Sequence, residues 1–268
     1  MQQFNNSLTG NVLYKQAVYF FTACMFFTRL PVPTIPYSLP ILQKSARYFS
    51  WVGVVVGLVA AVTYFLLQHY VSISLSIVVS TISTILLTGA FHEDGWADSC
   101  DAFGGGYTPE KILVIMKDSR LGTYGVIGLI GMLSTKFLLL TELSTKLVPW
   151  QVAASMLYAH SISRLCAVGV MQLLTYVQDI DTSKVKPLAN RKLYAYEWAV
   201  ALLPLLLGTY FLPTAYVLTV FPCCVTVLLC AWYFKRKIGG YTGDCLGATQ
   251  QVTECVCYIT NLVLWSYI

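Results

Sequence analysis

The run WVGVVVGLVAAVTYFLL at residues 51–67 carries no charged side chain. A helix over it reaches about 25 Å at 1.5 Å per residue, close to the roughly 30 Å of bilayer hydrocarbon. Residues 71–91 repeat the pattern after a short break, so the two runs predict a helical hairpin across a membrane. Two more hairpins are expected, from 124–141 with 147–174 and from 195–211 with 213–234, joined by links that carry Pro149 or Pro213. Residues 12–28 and 249–268 are weaker spans, because the first holds Lys15 and the second holds Glu254. The expected fold is all-α, a polytopic transmembrane helical bundle of six to eight spans forming a single integral membrane domain over 1–268. Composition agrees: 57% of residues are hydrophobic and 11% charged, against about 25% charged in soluble domains. Disorder, coiled coil and a large soluble catalytic domain are excluded.

The net charge of +5 is spread along the chain without the density that duplex binding needs, so no nucleic-acid partner is expected. It reads as topology. Arg29, Lys44 and Arg47, then Lys111, Lys117 and Arg120, then Lys184, Lys186, Arg191 and Lys192, and last Lys235, Arg236 and Lys237 all fall on one face if each hairpin returns the chain to its starting side. That face is then cytoplasmic. Lys146 is the exception on the other side. The nine cysteines show no zinc spacing and read as small buried thiols, and residues 1–10 do not resemble a cleaved signal. No fixed-period repeat relates the hairpins, so an inverted-repeat transporter is not supported.

Six of the twelve acids, Glu93, Asp94, Asp98, Asp101, Glu110 and Asp118, lie within 26 residues at the cytoplasmic end of the second span. Asp94, Asp98 and Asp101 are spaced i, i+4, i+7, which puts three carboxylates on one helical stripe. Unneutralised, such pairs cost roughly 0.2–0.5 kcal/mol each in water. A hard dication reverses the sign, and all-oxygen ligands suit Mg²⁺ or Mn²⁺ over Zn²⁺. The other reading is a solvated acidic loop.

Gly104, Gly105 and Gly106 follow, where a helix is costly and backbone amides can approach an anion. Lys117, Asp118, Ser119 and Arg120 then place two cations, a carboxylate and a hydroxyl before the next span, with phosphate the natural partner of the cations. In the fourth span His160, Ser161, Ser163 and Arg164 interrupt an apolar run, and an arginine at membrane depth faces either a cavity or a partner such as Asp94 or Asp98. A second glycine-rich turn, GGYTGDCLGA at 239–248, brings Asp244 to the same face, and Glu254 is placed to support the site from the last span. Asp179, Asp181, Glu197, Glu110 and Glu142 read as ordinary solvated charges.

HEDGWADSCDAFGGG at 92–106, IMKDSRLGTYG at 115–125 and GGYTGDCLGA at 239–248, with FTRLPVP at 27–33 and the Ser163, Arg164 pair, resemble the cobalamin synthase family, the adenosylcobinamide-GDP ribazoletransferases. Trp96 and Ala102 stand where the family often has Leu and Gly. The resemblance implies a multi-pass enzyme of the bacterial inner (cytoplasmic) membrane. It implies transfer of the cobinamide-phosphate part of adenosylcobinamide-GDP to α-ribazole or its 5′-phosphate, with GMP leaving and Mg²⁺ required. On that footing Asp94, Asp98, Asp101 and Asp244 are the expected metal ligands. Lys117, Arg120, Arg164, Ser163 and Gly104–Gly106 are the expected substrate-binding residues, and Asp118, with Asp101 as rival, the general base. Partners are these small molecules and the lipid bilayer, and a homo-oligomer is left open. Two alternatives are weighed. A CDP-alcohol phosphotransferase also uses helically spaced aspartates, but this chain lacks the Ala-Arg after the first Asp-Gly and the later Gly-xxx-Asp-xxx-Asp. A cation or corrinoid transporter would need polar groups along the whole path, and the acids here gather at one face.

Overall fold

The computed structural model describes residues 12–35, 38–178, 191–211 and 214–266, which form a helical bundle with no strand among them. Lys184, Lys186, Asp179, Asp181 and Pro213 lie outside the described residues. The helices are α1 Val12–Phe27, α2 Leu39–Ser45, α3 Phe49–Leu67, α4 Ile73–Thr88, α5 Phe91–Gly105, α6 Pro109–Met116, α7 Thr123–Lys146, α8 Pro149–Leu173, α9 Ala195–Phe211, α10 Val220–Ile238 and α11 Gly243–Trp265. Among the described residues three segments are long and apolar enough to cross a membrane, Leu39–Leu67, Thr123–Lys146 and Tyr216–Ile238. The pair Ile73–Thr88 and Phe91–Gly105 makes a fourth only if taken together. Helices α1 and α9 are apolar but shorter, whereas α8 and α11 run 25 and 23 residues and bury polar side chains inside the bundle. Among the described residues three or four segments meet that test of length and composition, and the other helices complete the all-α bundle expected.

Helix α8 is the central element, packed on α3, α9, α10 and α11. Its closeness to α3 depends on two glycines one turn apart. A Cβ on Gly53 would stand 2.3 Å from the His160 carbonyl oxygen, and one on Gly57 2.7 Å from the Leu157 Cα. Small residues at this spacing let helix backbones touch where lipid offers no hydrophobic drive. Ser161 then donates to the Ser50 carbonyl at 3.0 Å, and Ser50 to that of Ala201 at 2.6 Å, tying α8, α3 and α9 together.

The run 71–91 is bent near its end. Helix α4 stops at Thr88, Gly89 (φ 66°) and Ala90 (φ 59°) both take the left-handed conformation, and α5 leaves at 88° to α4. Gly89 adopts that backbone freely, while for Ala90 it is strained. The acidic segment thus lies on its own helix across one end of the bundle. The Gly104–Gly106 expectation also changes: α5 runs through Gly104 and Gly105, and Gly106 is an extended cap. Ala102 accordingly sits within an unbroken helix.

Glu197 is no solvated charge. It is fully buried at the start of α9, paired with Arg47 and with Arg191 (3.0 Å), and it accepts the Tyr194 N–H at 2.8 Å. Arg47 is itself buried, so it contributes a buried ion pair rather than a free topogenic charge. The nine cysteines are free, six of them buried.

Candidate active site

The site forms where α5 crosses the first turn of α11. A Cβ on Gly95 would stand 3.1 Å from the Asp244 Cα and 3.3 Å from the Gly247 Cα, so two glycine-bearing helices meet backbone to backbone. Thr242 caps α11 by accepting the Cys245 N–H at 3.3 Å, and Asp244 sits in its first turn, where the helix dipole favours an acid. A parallel bridge between Tyr176 and Tyr241 ties the end of α8 to the turn that precedes α11. This crossing brings Asp244 to the stripe of α5. Asp94 is exposed and Asp98 half-buried, and burial followed by the charges of Asp244, Asp94 and Asp101 pushes the Asp98 carboxyl up to about 7. Such crowding is what a bound dication relieves.

Asp101 does something else. Its two carboxylate oxygens accept the backbone N–H groups of Gly122 (2.7 Å) and Gly125 (2.8 Å), capping the N-terminus of α7. Both oxygens are thus engaged in this cap, a structural role that the expected ligand and base roles did not include. Gly122 and Gly125 leave room for it: a Cβ on either would meet its oxygens at 2.5 and 2.3 Å.

Asp118 forms an exposed bidentate pair with Arg120, at 2.9 Å and 3.0 Å from Nε. Hydrogen bonds from the Arg120 side chain and backbone hold its carboxyl down at about 2. A carboxylate so weakly basic makes a neutralised pair at the rim, not the general base expected. Lys117 is exposed on the same loop. Gly104 and Gly106 have a packing role, since a Cβ would meet the Tyr124 ring at 2.6 Å or Ile112 Cγ1 at 2.5 Å. The Ser163 hydroxyl is used inside the bundle, donating to the His160 carbonyl (3.2 Å) and accepting from Gln250 (3.1 Å).

Arg164 is not paired with Asp94 or Asp98. It donates to the His160 carbonyl at 2.9 Å and feels the charges of Glu254 and Glu93. Glu254 lies 3.1 Å from Lys136 and 3.5 Å from His160 Nδ1, all buried. Glu254 is thus part of a buried cluster inside the bundle, with Lys136 a partner that the sequence reading did not single out. The signal for Lys136 was its place inside the apolar run 124–141.

The residues present fit Mg²⁺ in one form. The converging donors are hard carboxylate oxygens, yet among the described residues no three His, Cys, Asp or Glu side chains make a ready cage for a metal. Mg²⁺ usually takes one or two carboxylates and fills its shell with water and substrate phosphate. One or two of Asp94, Asp98 and Asp244 would match that pattern, and a cage of three or four aspartates does not.

The family model for cobalamin-5-phosphate synthase matches residues 19–262. Among similar proteins is an adenosylcobinamide-GDP ribazoletransferase of Shewanella oneidensis, 42% identical over 94% of this chain and 96% of that protein. Those of Shewanella piezotolerans and Shewanella pealeana are 42% and 43% identical, each over 91% of this chain and 95% of the relative. No solved structure matches. With a match that runs through α5, the α6–α7 loop and the start of α11, the chain belongs to the cobalamin-5-phosphate synthase family.

Proposed function

We propose that this chain is a membrane-bound adenosylcobinamide-GDP ribazoletransferase of the bacterial cytoplasmic membrane. It joins adenosylcobinamide-GDP to α-ribazole or its 5′-phosphate and releases GMP. The observation that carries this reading is the meeting of Asp244 with the Asp94, Asp98 stripe at the Gly95–Gly247 crossing, on the end of the bundle that also presents Lys117 and Arg120. Family membership supports the substrates.

In the reaction the ribose hydroxyl oxygen forms a bond to the cobinamide-linked phosphorus while the bond from that phosphorus to GMP breaks. Mg²⁺, held by one or two of the carboxylates of Asp94, Asp98 and Asp244, would supply charge neutralisation on the phosphates. Lys117 and Arg120 meet the phosphates from the rim, and Arg164 from the interior of the bundle. A loose phosphoryl-transfer transition state rests mainly on positioning and electrostatics, so the reaction does not depend on a strong general base. The left-handed pair Gly89, Ala90 holds α5 across the bundle end, so both large substrates approach from the aqueous side.

Purified protein in detergent, given both substrates, should yield GMP and the corrinoid product in equal amounts. Uptake of corrinoid into proteoliposomes without GMP release would overturn the reading in favour of transport.

A further inference from the structure

Arg164 is 2% exposed and lines a cavity of about 30 Å³ with Phe27, Phe49, His92, Gly243 and Gly247. The wall is almost wholly apolar, and Arg164 is its charged member. Its Nε has no hydrogen-bond partner, although a buried donor without one is costly. Gly243 at the same wall is the first residue of α11, whose N-terminus favours an oxyanion. The volume admits an oxygen or two rather than a whole nucleotide. An anion oxygen reaching this point from the Asp244 side would supply the partner that Nε lacks, in surroundings where charge-assisted bonds are strong.

Behind Arg164 stands a second layer of polar side chains inside the bundle. His160 meets the guanidinium through its carbonyl (2.9 Å) and through Nδ1 (3.4 Å), and that Nδ1 lies 3.5 Å from Glu254 Oε2. The same oxygen lies 3.1 Å from Lys136 and accepts from Gln250 at 2.7 Å. Glu93, on the site helix itself, accepts from Gln251 at 2.9 Å and completes a set drawn from α5, α7, α8 and α11. Two carboxylates thus face two cations, so a buried charge set of this size carries no net charge while it holds one guanidinium in place.

We infer that Glu254, acting through His160 and balanced by Lys136, is a positioning residue that holds Arg164 with its unpartnered Nε–H toward the cavity, where it takes an oxygen of the substrate's pyrophosphate. This rests on the reaction proposed above.

The test is a double-substitution cycle in purified protein with Arg164→Lys, Glu254→Gln and the pair. Each single change should raise KM for adenosylcobinamide-GDP by about tenfold and leave KM for α-ribazole unmoved. The pair should be no worse than Arg164→Lys alone. Guanidinium chloride at millimolar concentration should rescue Arg164→Ala but not Arg164→Ala with Glu254→Gln. Losses that multiply, that fall equally on both substrates, or a rescue that ignores residue 254 would overturn the inference in favour of a merely structural role. If Glu254→Gln does not fold, His160→Gln must show the same coupling, and additivity there overturns it. If the parent protein releases no GMP, the reaction proposed above fails instead. Calorimetric binding of inorganic pyrophosphate then decides: weakening by about tenfold in Glu254→Gln keeps the positioning role, and unchanged binding removes it.

Discussion

The Asp101 carboxylate accepts the backbone N–H of Gly122 at 2.7 Å, tying the acid-bearing helix to the start of α7. With Gly125 as second donor, Asp101 acts as a long-range helix cap. Asp101→Ala should destabilise the protein by about 1–2 kcal/mol, measured by thermal unfolding in detergent. The Mg²⁺ concentration for half-maximal activity should stay at the parent value. A large rise in that concentration would return Asp101 to the ligand set.

Asp118 is held down at about 2 by Arg120, so it is ionised throughout the neutral range. The sign follows: a depressed carboxyl changes protonation only as pH falls toward 2, well below the working range. Asp118→Asn should therefore leave the acid limb of kcat/KM against pH where it is. GMP release measured from pH 5 to 9 checks this, and a limb displaced by more than about half a unit would make Asp118 the base.

Gly53 lets α3 lie against the His160 carbonyl, with 2.3 Å between that oxygen and a Cβ that residue 53 lacks. Gly53→Val should cost about 1–3 kcal/mol and, because His160 contacts Arg164, should lower activity more than Gly131→Val. A Cβ on Gly131 meets nothing within 4 Å. Thermal unfolding and GMP release of the two variants side by side check the comparison.

Much of this was legible beforehand. Apolar runs mark the helices, and the i, i+4, i+7 spacing with Asp244 marks the bundle end where the carboxylates meet. The bend at Gly89 and Ala90 was hidden because the run stays apolar through Phe91, and hydropathy does not report a left-handed backbone. The capping role of Asp101 is not legible in the sequence, because its partners lie 21 and 24 residues away and a stripe on one helix says nothing of the amides that approach it. Glu197 looked solvated for the same reason, since its partner Arg47 lies 150 residues away in sequence.

Ala90 carries φ 59°, a conformation that costs an alanine roughly 1–2 kcal/mol. Ala90→Gly should relieve that and stabilise by up to about 1 kcal/mol after the added freedom of the unfolded chain. Gly89→Ala should do the reverse, because a Cβ there meets Arg29 Nε at 2.4 Å. Unfolding midpoints of the two variants, moving in opposite directions, are the check.

The central claim is that Asp94, Asp98 and Asp244 act together on the substrate phosphates with Mg²⁺. The direct measurement is GMP release from adenosylcobinamide-GDP and α-ribazole by purified protein, with Mg²⁺ and with EDTA, for the parent and for Asp94→Ala, Asp98→Ala and Asp244→Ala. The account predicts that EDTA abolishes release, that Mg²⁺ restores it, and that each variant loses on the order of a hundredfold or more while still inserting in membranes. Release that survives EDTA, or near-parental activity in two of the three variants, would contradict it.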